Sequence, residues 1–373
     1  MTMTELPFFH AETVGSLLHP DELIAAQERF DRAEITAEAL REVEDRAIVA
    51  AIDMQQRVGL PVATDGELRR RTYIDFVLTG LTGLRMEWRV PEKSLYRDAA
   101  GEEAATPRPE IVVFDRIRHA GSTSAADAFG FLAAHSGVTA KATIPGPPLV
   151  HFFSGRDGIN REIYPRLDDF WSDLADAYVT ELDMLRAAGC QYVQFDETSL
   201  IKLVDPSIRQ WISERGDDPD VLIETYVDVL AAIVGRAPKD MRVGIHLCRG
   251  NNRGTWQADG GYDLIARLMF TRLPVDVYVL EYDTPRAGSF EPLRHVPDDK
   301  HVVLGLLSTK LREAEDAGAI AQRIREAGNI VPLDRLGVSP QCGFWGGINL
   351  CTPAEMENKL RRVVEIADEI WGG

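Results

Sequence analysis

The sequence contains no apolar run long enough to cross a bilayer, so no membrane-spanning helix is expected. It is also short of positive charge. Its 41 lysines and arginines face 59 acidic residues, for a formal net charge of −18. Phosphate backbones and anionic lipid repel such a chain, so neither nucleic acid nor a membrane is expected as a partner. Cysteine is scarce: Cys190, Cys248, Cys342 and Cys351 are scattered over 373 residues. That is no disulfide framework, and it suits a reducing cytoplasm. The opening residues, MTMTELPFFHAE, have neither the basic start nor the apolar core of a secretory signal, so a cytoplasmic location is expected. A Gly-x-Gly-x-x-Gly turn after an early strand is also missing, which counts against an open dinucleotide-binding sheet.

What is present is ordinary soluble composition, 45% hydrophobic and 27% charged, in a chain long enough to bury a core without staples. Candidate strands lie at 11–16, 61–67, 140–144, 192–195, 242–246, 275–281, 301–307 and 337–339. Amphipathic stretches at 162–188, 220–234, 262–271, 314–327 and 353–371 carry apolar residues at helical spacing. Gly189, Gly235 and Gly328 stand where helices should end. Eight strands interleaved with helices predict a single α/β domain over 1–373, a (β/α)8 TIM barrel. Residues 81–137 break the alternation and are expected as an insertion between strands two and three. Either a hairpin that lids the barrel or a surface excursion without a role fits them.

In such a barrel the C-terminal strand ends converge on one face. Strand five runs into His246-Leu247-Cys248, strand six ends at Glu281, and strand eight leads to Cys342. In an extended segment His246 and Cys248 point the same way, while Leu247 points opposite. One imidazole, two thiols and a carboxylate form a borderline-soft set suited to tetrahedral Zn²⁺. Cys190 and Cys351 lack that placement and are expected to be structural.

The ordered segments His-Leu-Cys, Leu-Glu-Tyr-Asp and Ser-Pro-Gln-Cys-Gly, ending at 248, 283 and 343, resemble the zinc site of the cobalamin-independent methionine synthases. Val14-Gly15-Ser16, Thr64-Asp65-Gly66-Glu67 and Gln194-Phe195-Asp196-Glu197 are similar to that family's motifs after strands one, two and four. The resemblance spans Val14 to Gly343 and points to the single-barrel branch, which includes epoxyalkane:coenzyme M transferase. It implies Zn²⁺ on His246, Cys248, Glu281 and Cys342, with Ser16, Glu67 and Asp196 holding the amino-acid part of homocysteine. Two thiolates and a carboxylate would leave the metal site anionic and the substrate sulfur electron-rich, with Glu281 the ligand expected to give way to it.

The expected activity is therefore zinc-dependent S-alkyl transfer, most simply from a methyl donor to homocysteine, giving methionine. Thiol alkylation of the coenzyme M type is the near alternative. A non-catalytic zinc- or thiol-binding barrel is the remote one, and a homo-oligomer is left open. The acids at 67 and 196 also have a plainer reading, pairing with Arg69, Arg70 or Arg71 to brace the barrel mouth. Three departures from the family concern the donor half. Lys202 stands where the family has a folate-serving acid, Phe153 near its folate-contacting Trp, and Leu307 at its proton-donating His. His151 and Tyr282 are the candidate substitute acids.

Overall fold

The computed structural model describes residues 6–89, 94–98, 100–104, 108–121 and 124–372. Ten strands occur among them: β1 Val62–Ala63, β2 Leu81–Arg89, β3 Arg108–His119, β4 Thr139–Ala140 and β5 Ala142–Pro145, then β6 Tyr192–Glu197, β7 Arg242–Leu247, β8 Val277–Glu281, β9 His301–Leu307 and β10 Leu336–Pro340. A parallel sheet runs β10-β9-β8-β7-β6-β5, and β1 pairs in parallel with β4 beside it. The chain around Ala11 closes the ring. It bridges Val338 in parallel on one side, and on the other Thr64 Oγ1 donates to Gly15 O at 2.7 Å and Leu17 N to Gly66 O at 3.0 Å. The fold is a (β/α)8 barrel.

The first two staves have few ladder bonds for a visible reason. Thr64 N donates to Gln55 Oε1 at 3.0 Å and Gln55 Nε2 donates to Thr64 O at 2.9 Å, so a side chain takes the place of a neighbouring strand. The later staves are buried along almost their whole length, as strands covered by helices on one side and barrel interior on the other must be.

Helix boundaries differ from expectation where proline intervenes. The stretch predicted from 162 becomes helical only over Leu167–Ala187, because Pro165 disfavours the helical conformation of the residue before it. The last helix, Pro353–Trp371, opens in a capping box between Thr352 and Glu355 and spans the predicted range. Of the three glycines expected at helix ends, only Gly189 adopts a left-handed φ, at +94°. Gly235 and Gly328 close their helices right-handed.

Between the second and third staves, β2 and β3 form an antiparallel hairpin, followed by the helix Ser124–His135. Residues 90–93, 99, 105–107 and 122–123 of this insertion lie outside those described. A Cβ at Gly83 (φ +85°) would stand 2.3 Å from Arg116 O, so the register shift in this hairpin needs glycine. Farther along the insertion, Arg97 pairs with the loop after β7. There Arg97 N donates to Trp256 O at 2.7 Å and Trp256 N to Arg97 O at 2.9 Å. Among the described residues no helix is long and apolar enough to cross a membrane.

Candidate active site

The strand ends surround one cavity opening onto about 570 Å³ of space. Six of the seven residues singled out from the sequence line it: Ser16, Glu67, Asp196, His246, Cys248 and Cys342. The seventh, Glu281, stands behind the wall.

β7 carries His246 inward beside Asp196 of β6. Cys248 Sγ lies 3.1 Å from Cys342 Sγ. Ligand atoms of His246, Cys248 and Cys342 all fall within 4.8 Å of one another. His246 Nδ1 faces Val279 O at 3.2 Å, and a carbonyl only accepts, so Nδ1 is the donor. Its Nε2 is buried and meets no hydrogen-bond partner of ordinary geometry among the described residues. A histidine fixed through one nitrogen, with the other unpartnered beside two sulfurs, has the form of a metal ligand held by its outer shell. The hydrogen bond between the sulfurs holds the Cys248 thiol well below the usual thiol range and pushes Cys342 well above it.

Glu281 ends β8 but is turned from that trio. Oε2 accepts from Arg249 N at 2.9 Å and Oε1 from Arg286 Nη2 at 2.7 Å, with Lys310 Nζ 3.9 Å away. Burial alone would raise its pKa, but Lys310, Arg249 and Arg286 together lower it. It is an ionised carboxylate, and its field reaches His246, Cys248 and Cys342.

Two more acids line the cavity, Glu67 and, next to His246, Asp196. Glu67 has a left-handed φ of +59°, following Gly66 at +66°, and this turn aims its carboxylate inward. Thr143 Oγ1 donates to Glu67 Oε1 at 2.9 Å. A Cβ on Gly15 would lie 2.8 Å from that same oxygen, which explains the glycine. Burial pushes Glu67 up to about 7, with Arg70 opposing and Asp196 adding to the rise. Asp196 is likewise raised, chiefly by burial. Ser16 Oγ accepts from Trp345 N at 3.3 Å, and a side chain at Gly343 would collide with it.

The bracing arginines are mostly engaged elsewhere. Arg69 pairs with Asp45, and Arg71 pairs with Asp31 at 2.7 Å. Only Arg70 approaches the site acids, 3.8 Å from Glu67, while also donating to Thr143 O at 2.8 Å. Arg249 spends its guanidinium on Gly260 O, Tyr262 Oη and Glu281 O.

Sequence reasoning missed the support beneath Asp196. Lys141, fully buried, donates to Glu12 Oε2 at 2.9 Å, Thr13 O at 2.5 Å and Gln194 Oε1 at 3.1 Å. An ammonium can face only the amide oxygen, so Gln194 Nε2 is directed to Asp196 Oδ1, 2.7 Å away. The signal was there: Lys141 and Thr143, like Gln194 and Asp196, alternate as polar residues in otherwise apolar strands.

The candidate acids fall away from the cavity. His151 is buried against Tyr226 Oη at 2.9 Å and lowered to about 3 by burial, then by Arg215. Tyr282 is buried between Tyr262 and Phe290, its pKa raised well above the ordinary value by burial. Neither lines the cavity. Leu307 is wholly buried at the end of β9. Lys202 does line it, and burial lowers its pKa to about 8 against the pull of Cys248 and Glu197. A second cavity adjoins the first, shares Tyr73, Tyr96, Asn251 and Trp345 with it, and is further lined by Phe153 and by Trp88 and Pro109 of the hairpin.

Residues 9–369 match the family described as the catalytic domain of cobalamin-independent synthase. The uncharacterized protein YxjH of Bacillus subtilis (strain 168) is 35% identical over 367 residues, covering 97% of this chain and 95% of that protein. A methionine synthase of Saccharolobus solfataricus is 23% identical over 344 residues, 92% of this chain and 90% of its own. Among solved structures, a Listeria monocytogenes protein provisionally named a vitamin-B12-independent methionine synthase superposes with a TM-score of 0.76 at 32% identity, covering 99% of this chain and 100% of that one.

Proposed function

The chain belongs to the cobalamin-independent methionine synthase family, and from that premise we propose that it is a zinc-dependent S-alkyltransferase acting on homocysteine. The observation carrying this reading is the single cavity that joins a buried, unpartnered His246 Nε2 and a thiol pair to two inward-facing carboxylates. His246, Cys248 and Cys342 would hold the ion, and Glu281, the fourth ligand expected from the sequence, would have to turn from Arg249 N and Arg286 to join them. Bound there, Zn²⁺ supplies a substrate thiolate at neutral pH that stays electron-rich among anionic ligands.

The chain's own groups do the rest. Glu67 and Asp196 accept hydrogen bonds from the substrate ammonium, and the Gly15–Ser16 turn faces its carboxylate. Tyr73, Tyr96 and Trp345 wall the cavity, so thiol and donor meet in a confined space, and that orientation is worth much of the acceleration. Homocysteine fits the Glu67 and Asp196 wall better than coenzyme M, because only homocysteine brings an ammonium to those two acids, while Arg69, Arg71 and Arg249 are engaged elsewhere. Calorimetry of the zinc-loaded protein with each thiol decides between them. Heat with homocysteine and none with coenzyme M is expected, and the reverse would sink the homocysteine reading.

A pH dependence follows from Glu67. Below about 7 its carboxyl is neutral and cannot pair with an ammonium, whereas above it the charge is present. Methionine, whose sulfur does not titrate, should therefore bind about tenfold more weakly at pH 6 than at pH 8. Affinity flat across that range would remove Glu67 from amine recognition.

A further inference from the structure

Lys202 belongs to the same cavity but not to the chemistry assigned so far. It sits in a short 3-10 turn, Ile201–Val204, just beyond the acids of β6, and is only 2% exposed. Its ammonium lies 5.2 Å from the ring centre of Phe152 and 5.1 Å from that of Phe153. Among the described residues it has no hydrogen-bond or ion-pair partner. The adjacent Glu197 acts on it only through its field: Oε1 is taken by Ser199 N at 2.5 Å and Leu200 N at 2.8 Å, and Oε2 makes no hydrogen bond among the described residues. A buried ammonium that lies over two aromatic faces, feels Cys248 and Glu197 only at a distance and makes no hydrogen bond is under-satisfied, and an incoming anion is what would complete it.

Its place says which substrate brings that anion. Glu67 and Asp196 mark the acceptor's ammonium end, and Cys248 and Cys342 its sulfur. Phe153, beneath the Lys202 ammonium, faces the adjoining cavity, the space left for the second substrate. We propose that Lys202 is the receptor for an anionic group, a carboxylate, sulfonate or phosphate, carried by the alkyl donor. The proposal rests on the alkyltransferase reading, and the donor class it names is negatively charged beside the transferable alkyl group.

The test uses the zinc-loaded protein saturated with homocysteine, titrated with two matched thioethers, 3-(methylthio)propanoate and 3-(methylthio)propan-1-ol. The carboxylate is expected to bind about tenfold or more tightly than the alcohol, as a charge-assisted hydrogen bond would give. Lys202→Arg should keep that preference and Lys202→Met should erase it. Equal binding of the pair, no measurable binding of the carboxylate, or a preference surviving in Lys202→Met would overturn the assignment. Binding of the carboxylate only when homocysteine is absent would also overturn it, by giving Lys202 to the acceptor. Homocysteine binding on the same preparation separates the two readings: its absence defeats the alkyltransferase proposal, its presence with an undiscriminated pair defeats only the role of Lys202.

Discussion

Cys342→Ser should purify with far less than one zinc per chain and lose nearly all alkyl transfer. Cys342 supplies one of the two sulfurs 3.1 Å apart, and serine offers only a hard oxygen that stays protonated at neutral pH. Loss of an outer-shell partner costs about 10–100-fold in metal affinity, and loss of a ligand itself should exceed that. Cys351→Ser is the matched control. Cys351 precedes the last helix, lines no part of the cavity, and its thiol is raised by burial, so zinc content and turnover should be unchanged. Zinc binding also stabilises the folded chain by mass action. Wild type and Cys351→Ser should therefore lose thermal stability when a chelator is added, while Cys342→Ser should not respond. Stoichiometric zinc retained by Cys342→Ser would defeat the metal site.

Much of this site could be read before any coordinates, and the reasons are local. His246, Cys248, Glu281 and Cys342 stand at ends of strands that appear in the sequence as short apolar runs, and the barrel topology then fixes which ends meet. The geometry of Glu281 could not be read that way. Its carboxylate is turned toward Arg249 N and the Arg286 guanidinium, and nothing in the spacing of Leu-Glu-Tyr-Asp tells that Arg286 folds back over it. The first two staves are expected as full strands from their short apolar runs, but Gln55, on the helix Ala37–Arg57, takes over the ladder bonds at Thr64. His151 and Tyr282 were attractive only by residue type, and their own packing layers hold them away from the cavity. Lys141 was passed over because a wholly buried lysine contradicts the usual distribution of charge. Its three acceptors come from two distant stretches of chain, the adjacent Glu12 and Thr13 and then Gln194 on β6, and become visible as a set only in the folded barrel.

Glu67→Gln separates the binding role of this acid from the bracing one, because the two roles predict opposite effects on stability. The folded pKa of about 7 exceeds the ordinary 4.5, so the stability Glu67 contributes is fully present below the unfolded pKa and lost as pH rises through the folded value. At pH 8 the ionised side chain should thus cost the ligand-free protein roughly 3 kcal/mol, since each pKa unit is worth about 1.4 kcal/mol. Glutamine keeps the shape and removes the charge, and the variant should melt at or above the wild-type temperature. Its affinity for homocysteine should meanwhile fall about 10–100-fold, the worth of a charge-assisted hydrogen bond to an ammonium. Asp196→Asn should behave alike, because Gln194 can still meet the amide oxygen while the ammonium loses its anionic partner. If Glu67 instead braced the mouth through Arg70, 3.8 Å away, Glu67→Gln would lower the melting temperature and leave homocysteine binding intact. A higher melting temperature with weaker binding is the signature of a carboxylate kept in an unfavourable place for its ligand.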